Sequence, residues 1–196
     1  IAIPGPGMIN AVFKAADRVI TSKNSGIMHR WDGFNLVDLA SNLGPTSFSS
    51  IGSVEDFKFY LNRLGGFGFS GARPEIISNS IEKLIYNDLG SGIVGTAFDN
   101  APGVVHRYDW LLSVGTVTDD LTNETINRCV LKYDFQLDDW TTWNFADVPT
   151  AWNSYRDASG GQQLIFGEVG GQCFTFGGTA LDDNGVAIDS VTEGVL

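Results

Sequence analysis

The stretch that decides the fold is residues 11–39, AVFKAADRVITSKNSGIMHRWDGFNLVDL. It holds four short runs of strand-forming residues, at 11–16, 18–22, 26–31 and 34–39. Gly, Asn and Asp separate these runs, and Asp32-Gly33 is a strong signal for a two-residue hairpin turn. Four antiparallel strands joined by tight turns form one meandering sheet, the unit from which β-propellers are built.

Three further groups of short runs follow along the chain. They lie at 56–61, 65–69 and 75–78; at 93–98, 104–117, 127–135 and 140–145; and at 151–158, 163–167, 171–176 and 186–191. The groups begin roughly 40 to 60 residues apart, which is the spacing of propeller blades. We therefore predict an all-β, β-propeller-like fold of about four antiparallel four-stranded blades. The blades form one domain over 1–196, with units at approximately 10–41, 52–90, 93–145 and 151–191.

One short helix is expected within this all-β chain. Residues 80–87 carry apolar side chains at 81, 84 and 85, which is a helical spacing, and Ser80 is the candidate N-cap. No other stretch favours a helix.

The number of units bears on whether the ring can close. Four units are few, since propellers have about four to eight blades. We expect either a piece of a longer propeller or a ring completed by something else. Residues 1–7 lack the basic start of a secretory signal, which predicts a fragment or a processed product.

Composition and charge exclude several classes of protein. The chain has 24 Gly, 13 Phe and only 18% charged residues, which excludes a coiled coil, and 43% hydrophobic residues can support a core. No run of about eighteen apolar residues occurs, so we expect no membrane-spanning helix and no membrane partner. Residues 1–98 hold eight acidic and eight basic residues, whereas residues 99–196 hold fifteen and four. Such an acidic half argues against direct binding of nucleic acid.

No stretch of the sequence predicts catalysis, a cofactor or a metal site. His29 and His106 are the only histidines, and no short ligand spacing accompanies either of them. Adjacent acids in Gly- and Asn-rich segments are more often solvated turn formers than a catalytic pair, and this applies to Asp119-Asp120, Asp138-Asp139 and Asp182-Asp183. Cys129 and Cys173 lie in apolar runs and are expected to be buried free thiols.

Aromatic residues at strand ends are the best-formed local pattern. Tyr133-Asp134 closes one strand and Trp140 opens the next, and Trp31-Asp32-Gly33 forms a matching junction in the first unit. Phe166-Gly167 ends a strand of the fourth unit. We interpret these residues as packing between blades, where each buried ring contributes on the order of 2–3 kcal/mol, and not as a binding platform.

These junctions partly resemble kelch repeats. The paired glycines that end the second strand of a kelch blade are replaced here by Val114-Gly115 and Phe166-Gly167. The order of motifs along the chain is more similar to the propeller found in virion proteins of tailed bacteriophages. The matching motifs are Trp31-Asp32-Gly33, Ile77-Ser78 with 81–86, Tyr133-Asp134 with Trp140-Thr141, 164–167 with Gly170-Gly171, and 183–188.

This resemblance implies a structural part of a phage particle, in the tail or at the head–tail junction. Such a part binds other virion proteins, as a homo-oligomer or within a larger assembly. The alternatives are a carbohydrate-binding or carbohydrate-active propeller and a cellular kelch-like interaction module. At least two exposed tryptophans beside a carboxylate cluster would favour the carbohydrate alternative.

Overall fold

The protein is described by a computed structural model that covers residues 3, 5–85, 92–93, 95–119, 122–176, 182–183 and 186–187. Among the described residues, strands account for 53% and helices for 9%, in four antiparallel sheets of three to five strands. The prediction of an all-β fold is therefore confirmed.

Sheet A is the meander expected from residues 11–39, and its strands pair in the order β1-β2-β3-β4. The strands are β1 (Ile9–Ala15), β2 (Arg18–Lys23), β3 (Met28–Trp31) and β4 (Leu36–Ala40). A 3₁₀-helical turn over Phe48–Ser50 then leads into sheet B.

Sheet B repeats the plan with four strands, one more than the sequence predicted. They are β5 (Gly52–Val54), β6 (Phe57–Asn62), β7 (Gly65–Phe69) and β8 (Glu75–Ile76), paired in that order. A 3₁₀ turn at Asn79–Ile81 and the four-residue helix α1 (Glu82–Ile85) follow.

Sheet C is the largest and has five strands. A short strand, β9 (Gly92–Ile93), pairs with the far end of β11, and helix α2 (Gly95–Asn100) follows it. The main path is β10 (Gly103–His106), β11 (Asp109–Thr118), β12 (Thr125–Asp134) and β13 (Asp139–Asn144).

Sheet D has three strands, β14 (Ala151–Arg156), β15 (Gln162–Gly167) and β16 (Cys173–Phe176). A separate two-stranded hairpin pairs β17 (Asp182–Asp183) with β18 (Val186–Ala187). The predicted run 186–191 continues beyond this hairpin into residues outside those described.

The four sheets pack face to face in chain order. Between sheets A and B lie Ile20, Met28 and Phe67. Between sheets B and C lie Phe59, Leu61 and Trp110. Between sheets C and D lie five buried side chains, Leu111, Val130, Phe145, Leu164 and Phe166. Sheets B and C are thus covered on both faces, as their apolar composition requires.

Tryptophan side chains connect neighbouring sheets. Trp110 Nε1 donates to the carbonyl of Ser50 at 3.2 Å, and Trp140 Nε1 donates to the carbonyl of Ile77 at 2.8 Å. Trp152 Nε1 of sheet D donates to Ser113 Oγ of sheet C at 2.8 Å. In each case the indole N–H gains a partner in or beside the preceding sheet, which a buried donor requires.

Two stretches differ from the predicted elements. The run 93–98 was expected to be a strand, but only Gly92–Ile93 pairs, and Gly95–Asn100 forms helix α2. The helix buries Phe98 against the B–C core, and the Ala101 N–H donates to Ala97 O at 2.7 Å. The single run 104–117 is a hairpin of β10 and β11, because Arg107 takes a positive φ of 56° at the turn.

Three smaller expectations are also corrected. The residue that precedes the 3₁₀ turn at Asn79–Ile81 is Ser78, so Ser80 is not an N-cap. Helix α1 ends at Ile85 in the described residues, and the rest of the predicted helix 80–87 lies outside them. Cys129 is buried as expected, but Cys173 is exposed because it lies on the face of sheet D that points away from sheet C.

Candidate functional site

The turn after the third strand is built alike in sheets A and C. Asp32 Oδ1 accepts hydrogen bonds from the N–H groups of Phe34 (3.0 Å) and Asn35 (2.8 Å). Asp134 Oδ1 accepts equivalent bonds from Gln136 (2.9 Å) and Leu137 (3.1 Å). These two aspartates therefore close turns, as Asp side chains commonly do. Gly33 supplies the positive φ of 102° that the first turn needs.

The aromatic residues before these two aspartates have different surroundings. Tyr133 is buried against Phe59 of sheet B, and its hydroxyl donates to Asp138 Oδ1 at 2.7 Å. Burial raises the pKa of the Tyr133 phenol. Among the described residues, no sheet packs on the face that carries Trp31, and 38% of its surface is exposed.

The other residues of the predicted packing set lie inside the stack or at its margin. Trp140 is buried between sheets B and C. Phe166 is buried between sheets C and D, where its ring contacts Trp152 and Phe174. Gly167 ends β15, and a Cβ built there would meet nothing nearer than 3.8 Å. The structure thus spreads the predicted residues over three places and does not bring them together as one site.

The outer face of sheet A points away from sheet B and carries an apolar surface, beside the exposed charged side chains of Lys14 and Asp38, which the register places on the same side. We define it by Val12, Val19, Thr21, Trp31 and Leu36, which the strand register places on one side of the sheet. The opposite side carries Phe13, which packs edge to face on Phe69 of sheet B. Phe34, at the turn beside this face, is 93% exposed. A patch of this kind on one side of a sheet is typical of an interaction surface.

A cavity of about 240 Å³ lies on this outer face. Its lining is formed by Ile3, Val19, Thr21, Trp31, Phe34 and Leu36. Thr21 Oγ1 is buried without a hydrogen-bond partner among the described residues. Apart from the hydroxyl of Thr21, the residues that line the cavity are apolar. The cavity could therefore receive an apolar or aromatic side chain.

A buried lysine binds the backbone of Ile3 and Gly5 beside the cavity. Lys23 Nζ donates to the carbonyl oxygens of Ile3 (3.0 Å) and Gly5 (2.6 Å). Only 5% of Lys23 is exposed, so these carbonyls replace the water that its ammonium group would otherwise bind. This places Ile3 at the rim of the outer face of sheet A.

A polar cluster connects sheets C and D near the β10–β11 turn. His106 Nδ1 lies 3.2 Å from Ser154 Oγ, and Gln162 Nε2 donates to the same hydroxyl at 2.9 Å. Lys132 Nζ lies 3.3 Å from Asp109 Oδ1 and 5.5 Å from the centre of the Trp143 ring. Burial raises the pKa of Asp109, and the ammonium of Lys132 opposes that rise.

The protonation state of His106 determines what this cluster can do. Burial is the main cause that lowers the pKa of its imidazole, which favours the neutral ring. A neutral ring can accept a proton from a serine hydroxyl, which is the first requirement for activating a nucleophile. The contact between His106 and Ser154 joins sheet C to sheet D, and this is the structural role that the cluster has.

The acidic pairs occupy turns and strand ends. Asp138 Oδ1 accepts from the Tyr133 hydroxyl, and Asp139 Oδ1 lies 2.9 Å from the Trp140 backbone N–H. Asp182 and Asp183 form β17, and Asp120 lies outside the described residues. Within the part of the chain that the structure describes, no group of three or more His, Cys, Asp or Glu residues could hold a metal ion.

The five tryptophans, all of them described, differ in exposure. Trp110 and Trp140 are buried, Trp143 and Trp152 are half-buried between sheets C and D, and only Trp31 is exposed. The condition that would have favoured a carbohydrate site, two exposed tryptophans beside carboxylates, is therefore not met.

The outer face of sheet A was not predicted from the sequence. A signal for it is present in β2, where Val19 and Ile20 are adjacent and therefore point to opposite faces. A strand with apolar residues on both faces belongs to a sheet that is covered on both sides. Among the described residues of sheet A, only one of those sides is covered, by sheet B.

None of the helices among the described residues is long and apolar enough to cross a membrane. Comparison of the sequence with models of known protein families found no match. Comparison with curated proteins likewise found none.

Proposed function

We propose that this chain is a structural module of the β-propeller type that acts through protein–protein contacts. The observation that carries the proposal is the outer face of sheet A, an apolar surface on an otherwise well-packed stack of sheets. Exposing such a surface costs free energy, about 25 cal/mol per Å² of apolar area, which binding a partner recovers. A protein with no partner would gain stability by replacing Val12, Val19 or Phe34 with polar residues.

The particular setting we propose is the virion of a tailed bacteriophage, in the tail or at the head–tail junction. The support for this is the order of motifs in the sequence, from Trp31-Asp32-Gly33 to 183–188. In sheets B, C and D the first strands are neighbours, since β10 contacts both β5 and β14. That is the order of strands in a propeller, where the first strand of each blade lies nearest the axis.

The charge distribution agrees with a role in an assembly that contains DNA without binding it. Residues 99–196 carry fifteen acidic and four basic side chains. An acidic surface repels phosphate groups and attracts basic partner surfaces. Tight binding of duplex DNA at physiological salt in a mobility-shift assay would contradict this part of the proposal.

The experiment that tests the virion proposal is co-purification with the products of neighbouring genes. The tagged chain is expressed with the capsid, portal and tail proteins encoded nearby, and we expect one of them to be retained. The variant Phe34→Asp, at an exposed position beside the outer face, should lose that partner, whereas Leu137→Asp, at a distant exposed turn, should keep it. A gene neighbourhood without virion genes, or a partner retained equally by both variants, would overturn the proposal.

A further inference from the structure

Two side-chain hydrogen bonds among the described residues join sheet D to sheet C, and they differ in their response to pH. Trp152 Nε1 donates to Ser113 Oγ at 2.8 Å, and neither group titrates near neutral pH. His106 Nδ1, at the end of β10, lies 3.2 Å from Ser154 Oγ of β14. Histidine is the side chain whose ordinary pKa lies near neutral pH, so only the second contact can change with pH in that range.

The hydroxyl group of Ser154 has a single hydrogen to donate, and two side chains contact it. Gln162 Nε2 donates to the hydroxyl oxygen at 2.9 Å, so the hydroxyl hydrogen is available to His106. A neutral imidazole with its hydrogen on Nε2 accepts that hydrogen at Nδ1. A protonated imidazole carries hydrogen on both nitrogens, so Nδ1 and Gln162 would then both donate to Ser154, and the hydroxyl hydrogen would lose its acceptor. The contact is therefore fully paired only when His106 is neutral.

Within sheet C, the surroundings of His106 act on its charge in opposite directions. Burial lowers the pKa of the imidazole most, Arg107 in the β10–β11 turn lowers it further, and Asp109, its cross-strand neighbour on β11, raises it. The Asp109 carboxylate lies 3.3 Å from Lys132 Nζ and opposite Asp134 on β12, so another cation already shares it. Together these surroundings favour the neutral ring.

The strands of sheet D offer no acidic side chain to His106. β14 and β15 carry a single charged residue, Arg156, which alternation along the strand places on the same face as Ser154. The Asp157 carboxylate after β14 is held by donors of its own turn. β5 and the 3₁₀ turn before it, which also pack on β10, carry no charged side chain, and Glu55 after β5 is exposed. Nothing on the strands of sheet D therefore offsets a positive charge on His106.

We propose that His106 makes the attachment of sheet D to sheet C sensitive to pH, so that sheet D is held through Ser154 at neutral pH and loosens from sheet C in mild acid. Because the pKa of His106 is lowered from 6.5 in the folded protein, its contribution to stability is complete above about 6.5 and is lost as the pH falls through the folded-state pKa. The Trp152–Ser113 bond and the apolar core between the two sheets do not titrate, so the loss is confined to one contact.

Hydrogen exchange measured by mass spectrometry at about pH 7.5 and about pH 5.5 tests this inference, once each rate is divided by the intrinsic rate of an unstructured chain at that pH. We expect the protection of β14–β16 in the wild type to fall by about threefold or more at the lower pH, relative to that of β6 and β7. His106→Gln keeps a polar side chain beside Ser154 but cannot be protonated, so the change in sheet D should disappear. His29→Gln is the matched control, because it removes the histidine of β3 in sheet A and should leave the change in sheet D intact.

A second measurement follows His106 itself and does not depend on a folded His106 variant. The imidazole signals of isotope-labelled protein are titrated by NMR, with His29→Gln used to assign them, and we expect a His106 midpoint below 6.5. Phe166→Ala weakens the core between sheets C and D and should move that midpoint toward 6.5, because a proton that loosens sheet D binds more tightly when the sheet is already loose. Trp31→Phe, in sheet A, should leave the midpoint unchanged.

Three results would overturn the inference. Equal protection of sheet D at the two pH values in the wild type would show that the contact does not respond to protonation. A change that persists in His106→Gln would assign the pH dependence to another group. A His106 midpoint at or above 6.5 would mean that the folded protein does not oppose the charge. Each measurement uses the chain alone, so failure here leaves the proposed contact with partner proteins untouched.

Discussion

At the scale of single residues, the indole groups do more than fill space between sheets. Each of Trp110, Trp140 and Trp152 donates its N–H to an acceptor in or beside the preceding sheet. An apolar ring can slide along an apolar surface, but a hydrogen bond of 2.8 to 3.2 Å fixes its position. These three bonds therefore define how one sheet is placed against the next.

Replacing Trp140 with Phe tests the energy of one of these bonds. The change removes the donor to Ile77 O and leaves that carbonyl without its partner. We expect the free energy of unfolding to fall by about 1–3 kcal/mol, measured by urea denaturation. Trp31→Phe is the matched control, because Trp31 is exposed, and it should change stability by less than about 0.5 kcal/mol in dilute solution. Equal losses in both variants would contradict the role given to the hydrogen bond.

Asp157 organises the turn between β14 and β15 and should make it sensitive to acid. Its carboxylate accepts hydrogen bonds from the Ser159 hydroxyl (2.6 Å), Gln163 Nε2 (2.8 Å) and the Gly161 N–H (2.8 Å). These donors stabilise the charged form and lower the pKa of Asp157 to about 2, with the Ser159 hydroxyl as the largest cause. The folded-state pKa therefore lies below the usual value of 3.8.

A group with a lowered folded-state pKa stabilises the fold above its unfolded pKa and loses that effect as the pH falls. We expect the unfolding midpoint of the wild type to be higher than that of Asp157→Asn, and the difference between them to be constant above about pH 5. That difference should shrink as the pH falls from about 4 toward 2. Ser159→Ala keeps the carboxylate but removes its main hydrogen-bond donor. The loss of stability on acidification should therefore begin at a higher pH in this variant. A difference that stays constant down to pH 2 would contradict this assignment.

At the scale of elements, glycines in three strands make room for Trp110. A Cβ at Gly52 would lie 2.7 Å from Trp110 Cδ1, and one at Gly103 would lie 2.6 Å from Ser50 O. A Cβ at Gly66 would lie 3.2 Å from Trp140 Cζ2 and 3.4 Å from Trp110 Cζ3. The close approach of sheets B and C at this indole thus depends on the absence of side chains at these positions.

Gly103→Ala tests this packing. The new methyl group would collide with the Ser50 carbonyl that accepts the hydrogen bond from Trp110, and backbone at this site cannot move without shifting β5. We expect a loss of about 1–3 kcal/mol in the free energy of unfolding, as for overpacked cores. Gly167→Ala is the matched control, since its Cβ meets nothing nearer than 3.8 Å. A control as unstable as Gly103→Ala would show that strand glycines matter here for another reason.

The elements that the sequence predicted well are those with local signals. The hairpin between β3 and β4 and the turn after Asp134 are encoded by side chains that bond their own backbone. The first of these turns spans residues 32–35 and is centred on Gly33 and Phe34, one residue later than the two-residue turn predicted at Asp32-Gly33. Helix α2 was not predicted because the residues from Ile93 to Phe98 have the apolar content of a strand. The packing of Phe98 in the core between sheets B and C is a tertiary contact that favours the helix. The exposure of Trp31 could not be predicted either, because it depends on which sheet lies next to it.

At the scale of the whole molecule, each buried core among the described residues lies between two sheets that are adjacent in the chain. Sheet B shares one core with sheet A and another with sheet C, and sheet C shares a further core with sheet D. In such a stack, stability is approximately a sum of contributions from each sheet and each interface. The end sheets, which have one packed face each, should therefore open more easily than sheets B and C.

Hydrogen exchange measured by mass spectrometry tests this order. In dilute solution, the amides of β14–β16 should exchange faster than those of β6, β7, β11 and β12, because sheet D has three strands and one covered face in the described part of the chain. Phe166 is 5% exposed in the core between sheets C and D, and Phe166→Ala weakens that core. This variant should speed hydrogen exchange in sheet D by tenfold or more, which corresponds to about 1.4 kcal/mol, and should leave exchange in sheet A unchanged. Phe67→Ala, in the A–B core, should have the converse effect on sheet A. If either variant instead speeds exchange in all four sheets equally, the molecule unfolds as one unit and its sheets are not separable.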